Sequence, residues 1–240
     1  MDYKKLKEDL ITWLREYAEN SHAKGFVFGL SGGIDSAVVA AVSKEIFPEN
    51  SLGIIMPCES IDKDKDDALK IAKALDIKTE IVDLTETYRT LISASFSSEN
   101  RLARSNIKPR LRMTSLYYYG ADLGYLVLGS SNASEWYVGY STKYGDSGAD
   151  VYPIVNILKT DIFKLAKELN LPDFIIEKKP SAGLWEGQSD EDEMGFSYET
   201  LDSYIRGEKV PEIPIKEKID RMHRNSKHKR EIIPRFEIKK

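Results

Sequence analysis

A single cysteine, Cys58, stands in this 240-residue chain, which excludes an internal disulfide framework and a cysteine-rich metal site. No apolar run approaches the ~20 residues that a membrane span needs. The opening MDYKKLKEDLITWLREY reads as a charged amphipathic helix without the apolar stretch of a signal peptide, so the expected location is cytoplasmic. A net positive charge is also lacking: 35 Lys/Arg stand against 39 Asp/Glu, and the balance of −4 argues against a general nucleic-acid surface. The charge is unevenly spread. Residues 216–240 carry ten Lys/Arg against four Asp/Glu, a balance of +6, which leaves −10 on the rest. Such a tail is either a solvated helix or a cationic closure over an anionic ligand.

What is present is an alternation of short apolar runs with helical patterns, the signature of parallel βαβ units. Strands are expected at 26–30, 52–56, 79–82 and 125–129, with a possible short fifth at 152–157. Helices are expected at 36–47, 63–75, 85–95, 104–119 and 160–170. The expected fold is α/β: a Rossmann-like, doubly wound parallel sheet with helices on both faces and a helical, loop-rich C-terminal part. After Leu171 the pattern weakens, with helices resuming at 190–194, 198–206 and 216–225. The chain reads as one domain, its core over about 1–170 and its lid loop and last helices over about 171–240. Two covering segments are expected, near 86–108 and 178–189.

The sharpest local signal is Gly29-Leu30-Ser31-Gly32-Gly33-Ile34-Asp35-Ser36, where a buried strand turns into a helix. Free backbone N–H groups and the positive end of the helix dipole converge there. Gly32 and Gly33 let the backbone approach phosphate oxygens, and Ser31 and Ser36 add hydroxyls. The lysine of a Walker A loop is missing. An aspartate takes part in the turn instead, and a carboxylate facing a polyphosphate calls for a cation, so Asp35 is a candidate Mg²⁺ ligand. SGGIDS resembles the PP-loop of the ATP pyrophosphatases, which adenylate a substrate and release pyrophosphate.

A second strand end opens at Leu128-Gly129-Ser130-Ser131-Asn132-Ala133-Ser134-Glu135, where the spacing of Asn132 and Glu135 alone is explained by a capping box. Seven residues later comes Thr142-Lys143-Tyr144-Gly145-Asp146-Ser147-Gly148-Ala149-Asp150. Together with Asn106-Ile107-Lys108-Pro109-Arg110-Leu111-Arg112-Met113, Lys179-Pro180-Ser181-Ala182-Gly183-Leu184, Gln188-Ser189-Asp190-Glu191 and His228-Lys229-Arg230, these segments resemble the ordered signatures of the ammonia-dependent NAD synthetases almost end to end.

That resemblance implies that Gly29, Leu30, Ser31, Gly32, Gly33, Ile34, Asp35 and Ser36 hold ATP phosphates. It implies Asp35 and Glu135 as Mg²⁺ ligands and Ser130, Lys159 and Ser181 as ATP contacts. Arg110, Lys143, Asp150, His228 and Lys229 would bind deamido-NAD. Ser130 and Ser181 stand where threonine is commoner, and Gly183 replaces an aspartate, so no role for that carboxylate carries over. Asp35 and Lys159 are the expected catalytic groups, joined at the ammonia step by a carboxylate, Asp146 or Asp150, that would deprotonate or stabilise ammonium. The implied substrates are ATP, deamido-NAD and ammonia, and a homodimer through the aromatic helix at 110–119 is expected. With Cys58 beside a strand end and no glutaminase domain in the chain, direct use of ammonia is expected. Two other readings compete: a PP-loop synthetase for another acceptor, and a non-catalytic nucleotide-binding module.

Overall fold

Along β1 (Gly25–Gly29) successive side chains turn to opposite faces: Phe26 and Phe28 enter one core, Val27 the other, and all three are buried. A strand buried on both sides is what a parallel sheet with helices on each face requires. In this computed structural model, residues 1–60, 62–178, 180 and 189–238 are described. Among them, β1 pairs in parallel with β2 (Ser51–Ile55) and β4 (Tyr125–Leu128), and β2 pairs with β3 (Lys78–Ile81), giving the order β3-β2-β1-β4. The chain therefore winds outward from β1 to β3, then crosses to β4 on the other side. The reversal lies between β1 and β4, and beyond their carboxyl ends is where ligands bind in such sheets.

In chain order the helices are α1 (Tyr3–Asn20), α2 (Ile34–Ile46), α3 (Asp62–Leu75), α4 (Thr85–Ala94), α5 (Arg101–Ser105), α6 (Ile107–Leu123) and α7 (Ala133–Val138). Then follow α8 (Lys159–Glu168), α9 (Asp173–Ile176), α10 (Asp190–Met194), α11 (Tyr198–Ile205), α12 (Ile213–Asn225) and α13 (Lys227–Arg230). One face of the sheet packs on α1, α2, α3, α8 and α9 through Leu14, Val38, Ile71, Ile162 and Ile175. The other packs on α4 and α6 through Tyr88 and Leu116. Each buried aliphatic of this kind stabilises the fold by about 1.5–3 kcal/mol. A third, smaller cluster gathers Val138, Met194, Tyr198, Leu201 and Ile219, which ties α7 to α10, α11 and α12.

The doubly wound α/β expectation is borne out, and the four main strands fall within about one residue of their expected bounds. Three expectations are corrected. Residues 152–157 are not a strand: a single bridge joins Val151 to Leu128, after which Pro153 offers no donor and the chain turns, Ile157 N–H donating to Ile154 C=O at 3.0 Å. The helix expected at 104–119 is two helices broken at Asn106. Pro109 explains the break, because inside one continuous helix it would clash with the preceding turn, whereas it fits in the first turn of α6. The cover expected at 86–108 is mostly helical, in α4 and α5, with Asn100 capping α5 by accepting from Ala103 N–H at 3.1 Å. Most of the cover expected at 178–189 lies outside the described residues.

Candidate active site

The phosphate loop begins at the end of β1. Gly32 has φ +79°, a left-handed conformation suited to glycine, and a Cβ there would lie 2.7 Å from the Asp64 carbonyl oxygen. Ser36 Oγ donates to Gly33 C=O at 2.9 Å and lies 3.1 Å from Ser31 Oγ, so the two hydroxyls brace the turn from within. Gly33 caps α2 without a side chain to accept from the first helical N–H groups. Those donors and the helix dipole are left to an anion.

Asp35, in the first turn of α2, meets Glu135 of α7 at the crevice between β1 and β4. The ammonium of Lys159, at the start of α8, contacts Asp35 directly and lies 3.7 Å from Glu135 Oε1. Lys159 is only 2% exposed. Burial opposes its charge, but the two carboxylates more than offset this and keep its pKa above the ordinary lysine value. Glu135 is pushed the other way from a paired acid: burial first, and the charge of Asp35 second, raise its carboxyl to about 8. Asn132 Nδ2 donates to Asp35 Oδ1 at 3.1 Å, while its own Oδ1 accepts from Glu135 N–H at 3.0 Å. The capping box read from the sequence is therefore present, and it also aims both carboxylates at one ammonium.

The other expected contacts divide between two places. Ser130 follows β4 and Gly129, on the same crevice as the loop. Lys143 and His228 meet across 85 residues, the ammonium donating to His228 C=O at 2.8 Å. Arg110 Nε donates to Lys143 C=O at 3.3 Å, which brings the start of α6 to the same loop. Asp150 accepts from Tyr117 Oη at 3.0 Å and from Val127 N–H at 2.9 Å. Asp146 accepts from Thr142 N–H with both oxygens, at 2.9 and 3.1 Å, and burial raises its pKa. Its first task is thus to close its own loop. Lys229 donates to Gly139 and Ser141 carbonyls at the end of α7, at 2.7 and 2.5 Å. The tail lies folded against the loop whose residues it was expected to join. Ser181 lies outside the described residues.

Sequence reading missed three supporting side chains. Tyr198 Oη lies 3.3 Å from Glu135 Oε1 and 3.1 Å from Asp190 Oδ2, and its ring faces the Lys159 ammonium at 5.2 Å. Asp202 accepts from Ser134 Oγ and from Thr160 N–H. Lys178 donates to Gly32 C=O at 3.1 Å. Their residue types are ordinary and their partners distant in sequence. The one available signal was the four-residue spacing of Tyr198 and Asp202, which gives them one helix face.

Cys58 is fully buried, its thiol 3.8 Å from Leu84 C=O, and burial raises its pKa, all of which opposes a nucleophilic role. Among the described residues, no group of three or more His, Cys, Asp and Glu side chains is gathered as a metal site. Two carboxylates beside a phosphate loop nevertheless suit Mg²⁺, which is usually held by one or two carboxylates together with substrate phosphates.

The family model described as NAD synthase matches residues 6–233. The NH(3)-dependent NAD(+) synthetase of Finegoldia magna is 52% identical over 238 residues, covering 99% of this chain and 98% of that protein. Two solved structures superpose over nearly their whole lengths. The NMN synthetase from Francisella tularensis has a TM-score of 0.95 at 37% identity, covering 99% of this chain and 100% of its own. The NH3-dependent NAD synthetase from Campylobacter jejuni, solved with the nitrate ion, has a TM-score of 0.82 at 31% identity and the same coverages.

Proposed function

The chain belongs to the NAD synthase family, and on that premise we propose that it amidates deamido-NAD with ammonia, consuming ATP and giving NAD, AMP and pyrophosphate. The observation that carries this reading is the meeting of Lys159 with Asp35 and Glu135, beside a phosphate loop, at the reversal of the sheet.

The nicotinate carboxylate attacks the α-phosphorus of ATP, pyrophosphate leaves, and an adenylate forms; ammonia then attacks the activated carbonyl and AMP leaves. The first nucleophile is already an anion and needs no base. Transfer of this kind depends on positioning and on neutralising charge. The N–H groups at the start of α2 take the departing phosphate oxygens, and Lys159 supplies a buried positive charge next to them. Ser130 and Ser181 add hydroxyl contacts to ATP. Mg²⁺, held by Asp35 and Glu135, would shield the negative charge of the triphosphate. Without ligands, Lys159 offsets the charge of the two carboxylates that would hold the metal. Arg110, Lys143, Asp150, His228 and Lys229 line the acceptor side, where cations suit an anionic dinucleotide. Asp146, in the same loop, is the carboxylate we assign to the ammonia step, with Asp150 as the alternative.

The likeness to the Francisella NMN synthetase favours a second reading, amidation of the mononucleotide acid that yields NMN. The chemistry at the carboxylate is the same, and only the acceptor's size differs. Purified protein given ATP, Mg²⁺ and ammonium, with deamido-NAD or nicotinate mononucleotide in turn, separates the readings. The first expects AMP and NAD and a higher kcat/KM for the dinucleotide. Absence of AMP formation with either acid would sink both.

Assembly and location complete the proposal. A homodimer through α6, on which Tyr118 is 73% exposed, rests on the family resemblance, and light scattering at micromolar concentration tests it. No helix among the described residues is long and apolar enough to cross a membrane; the cytoplasmic location that we propose rests on the family instead.

A further inference from the structure

Lys178 follows α9 and directs its ammonium toward the phosphate loop rather than into solvent. Its three donors are all engaged: Gly32 C=O at 3.1 Å, Asp64 Oδ1 at 3.1 Å and Asp67 Oδ2 at 2.8 Å. Both aspartates belong to α3, which presses on Gly32 from outside, since a Cβ on Gly32 would also lie 3.1 Å from Asp67 Cβ. Asp67 is buried, and its second oxygen takes Lys70 at 3.2 Å. The carboxylates neutralise Lys178 locally, so the ammonium is anchored on α3 while it grips the loop.

The grip has a directional consequence. In a trans peptide the C=O and N–H point to opposite sides. With Gly32 C=O held outward by Lys178, the N–H of Gly33 is turned to the inner side of the loop, where it lies 3.4 Å from Ser31 Oγ. That long contact is weak, so the N–H is poised for a better acceptor. The Gly32–Gly33 peptide would otherwise be free to flip, since neither residue has a Cβ to restrain it.

We propose that Lys178 is a positioning residue for polyphosphate, holding the Gly32–Gly33 peptide so that Gly33 N–H faces the phosphates of ATP. It acts through the loop and touches no reacting atom. The inference rests on the proposed phosphate-loop reading and adds a requirement of its own: phosphate affinity should depend on a cation that faces the loop's outer side.

The test compares full-length wild type with Lys178→Met, which keeps the aliphatic stem, and Lys178→Arg, which restores donors. KM for ATP, inhibition by inorganic pyrophosphate, KM for deamido-NAD, kcat and thermal midpoint are read for each. For Lys178→Met, KM for ATP and the inhibition constant for pyrophosphate rise together by about tenfold, the loss of one charge-assisted hydrogen bond. Its KM for deamido-NAD, kcat and ligand-free melting stay within about twofold and a few degrees of wild type, and Lys178→Arg recovers most of the phosphate affinity. Should Lys178→Met fail to fold, Asp64→Asn withdraws one anchor from the same ammonium and is expected to shift the same two constants by about threefold. Three results overturn the proposal: unchanged ATP and pyrophosphate constants, an equal rise in both substrates' KM, or a collapse of kcat at constant KM. The last would mean that Lys178 meets the transition state itself. Wild type that neither binds pyrophosphate nor releases it would instead remove the phosphate-loop reading beneath.

Discussion

Tyr198 and Asp202, four residues apart on one face of α11, between them hold α7 and α8, the helices that bear Glu135 and Lys159. Tyr198 Oη reaches Glu135 of α7 at 3.3 Å, while Asp202 accepts from Ser134 Oγ of α7 at 2.5 Å and from Thr160 N–H of α8 at 2.8 Å. Ser134 Oγ in turn accepts from Lys159 N–H at 2.8 Å. The spacing between Glu135 and Lys159 is thus set from a helix that contributes nothing to the reaction. A phenol has one proton to give, and Tyr198 Oη stands between two carboxyl groups, Glu135 and Asp190. That proton serves either acceptor, Glu135 Oε1 at 3.3 Å or Asp190 Oδ2 at 3.1 Å.

Tyr198→Phe removes the hydroxyl and keeps the ring beside the Lys159 ammonium. Stability is expected to fall by about 1 kcal/mol, the worth of a hydrogen bond in a partly buried site. Glu135 loses its tether, so the Mg²⁺ concentration needed for half-maximal turnover should rise several-fold while kcat at saturating metal changes little. A thermal-shift titration with Mg²⁺ and a nucleotide gives a readout independent of turnover. If neither midpoint nor titration moves, the hydroxyl plays no part in placing Glu135.

Asp202→Ala should be far more costly. Asp202 is fully buried, and its loss strips a buried hydroxyl and the start of α8 of their acceptor at once. A decrease of about 2–4 kcal/mol is expected, read as a lower urea midpoint at constant slope. Because Lys159 begins α8, turnover should fall even where the protein is still folded. A variant as stable as wild type would show that this carboxylate is dispensable.

How much of this was legible in the sequence follows from the range of each interaction. The phosphate loop was plain because strand, glycine turn and helix are consecutive, and backbone chemistry within eight residues decides them. The convergence of Asp35, Glu135 and Lys159 was legible only through resemblance, since it spans 124 residues from Asp35 to Lys159 and depends on β4 crossing to the far side of β1. Residues 152–157 misled because an apolar run reads alike as a strand or as a buried turn. Only Pro153 hinted otherwise. Lys178 left no trace, since a lysine bonded to a carbonyl has the same spelling as one in solvent, and Tyr198 and Asp202 left only their shared helix face.

Glu135 also sets a pH dependence whose sign can be worked out. An unfolded glutamate titrates near its ordinary 4.5, while the folded one is raised to about 8. Below about 4.5 both states hold the proton and the difference vanishes. Between about 4.5 and 8 the unfolded chain has released it and the folded chain has not, so stability falls as pH rises. Above about 8 the loss is complete. Glu135→Gln lacks this titration, so its stability relative to wild type should grow across that window, by about 1.4 kcal/mol for each unit of displacement. Urea unfolding at pH 5, 6.5 and 8 without divalent cations measures it. A difference that stays flat with pH would contradict the assignment.

Gly139 offers the cleanest way to separate the two substrates. It ends α7 with φ +67°, and a Cβ there would fall 2.0 Å from Ser226 Cβ, the residue that joins α12 to α13. Ser226 is buried, so the clash has no easy relief. Gly139→Ala must therefore push the tail away from α7, at about 1–3 kcal/mol for the backbone conformation alone. The displaced tail carries His228, which meets Lys143, and Lys229, which binds the Gly139 and Ser141 carbonyls. The phosphate loop lies on another part of the crevice and is untouched. The expected result is a rise in KM for deamido-NAD of tenfold or more with KM for ATP within about twofold, since loss of one or two charged contacts corresponds to about that factor. Steady-state kinetics with each substrate varied in turn measures both. Equal changes in the two constants would mean that the tail supports the whole site rather than the acceptor alone.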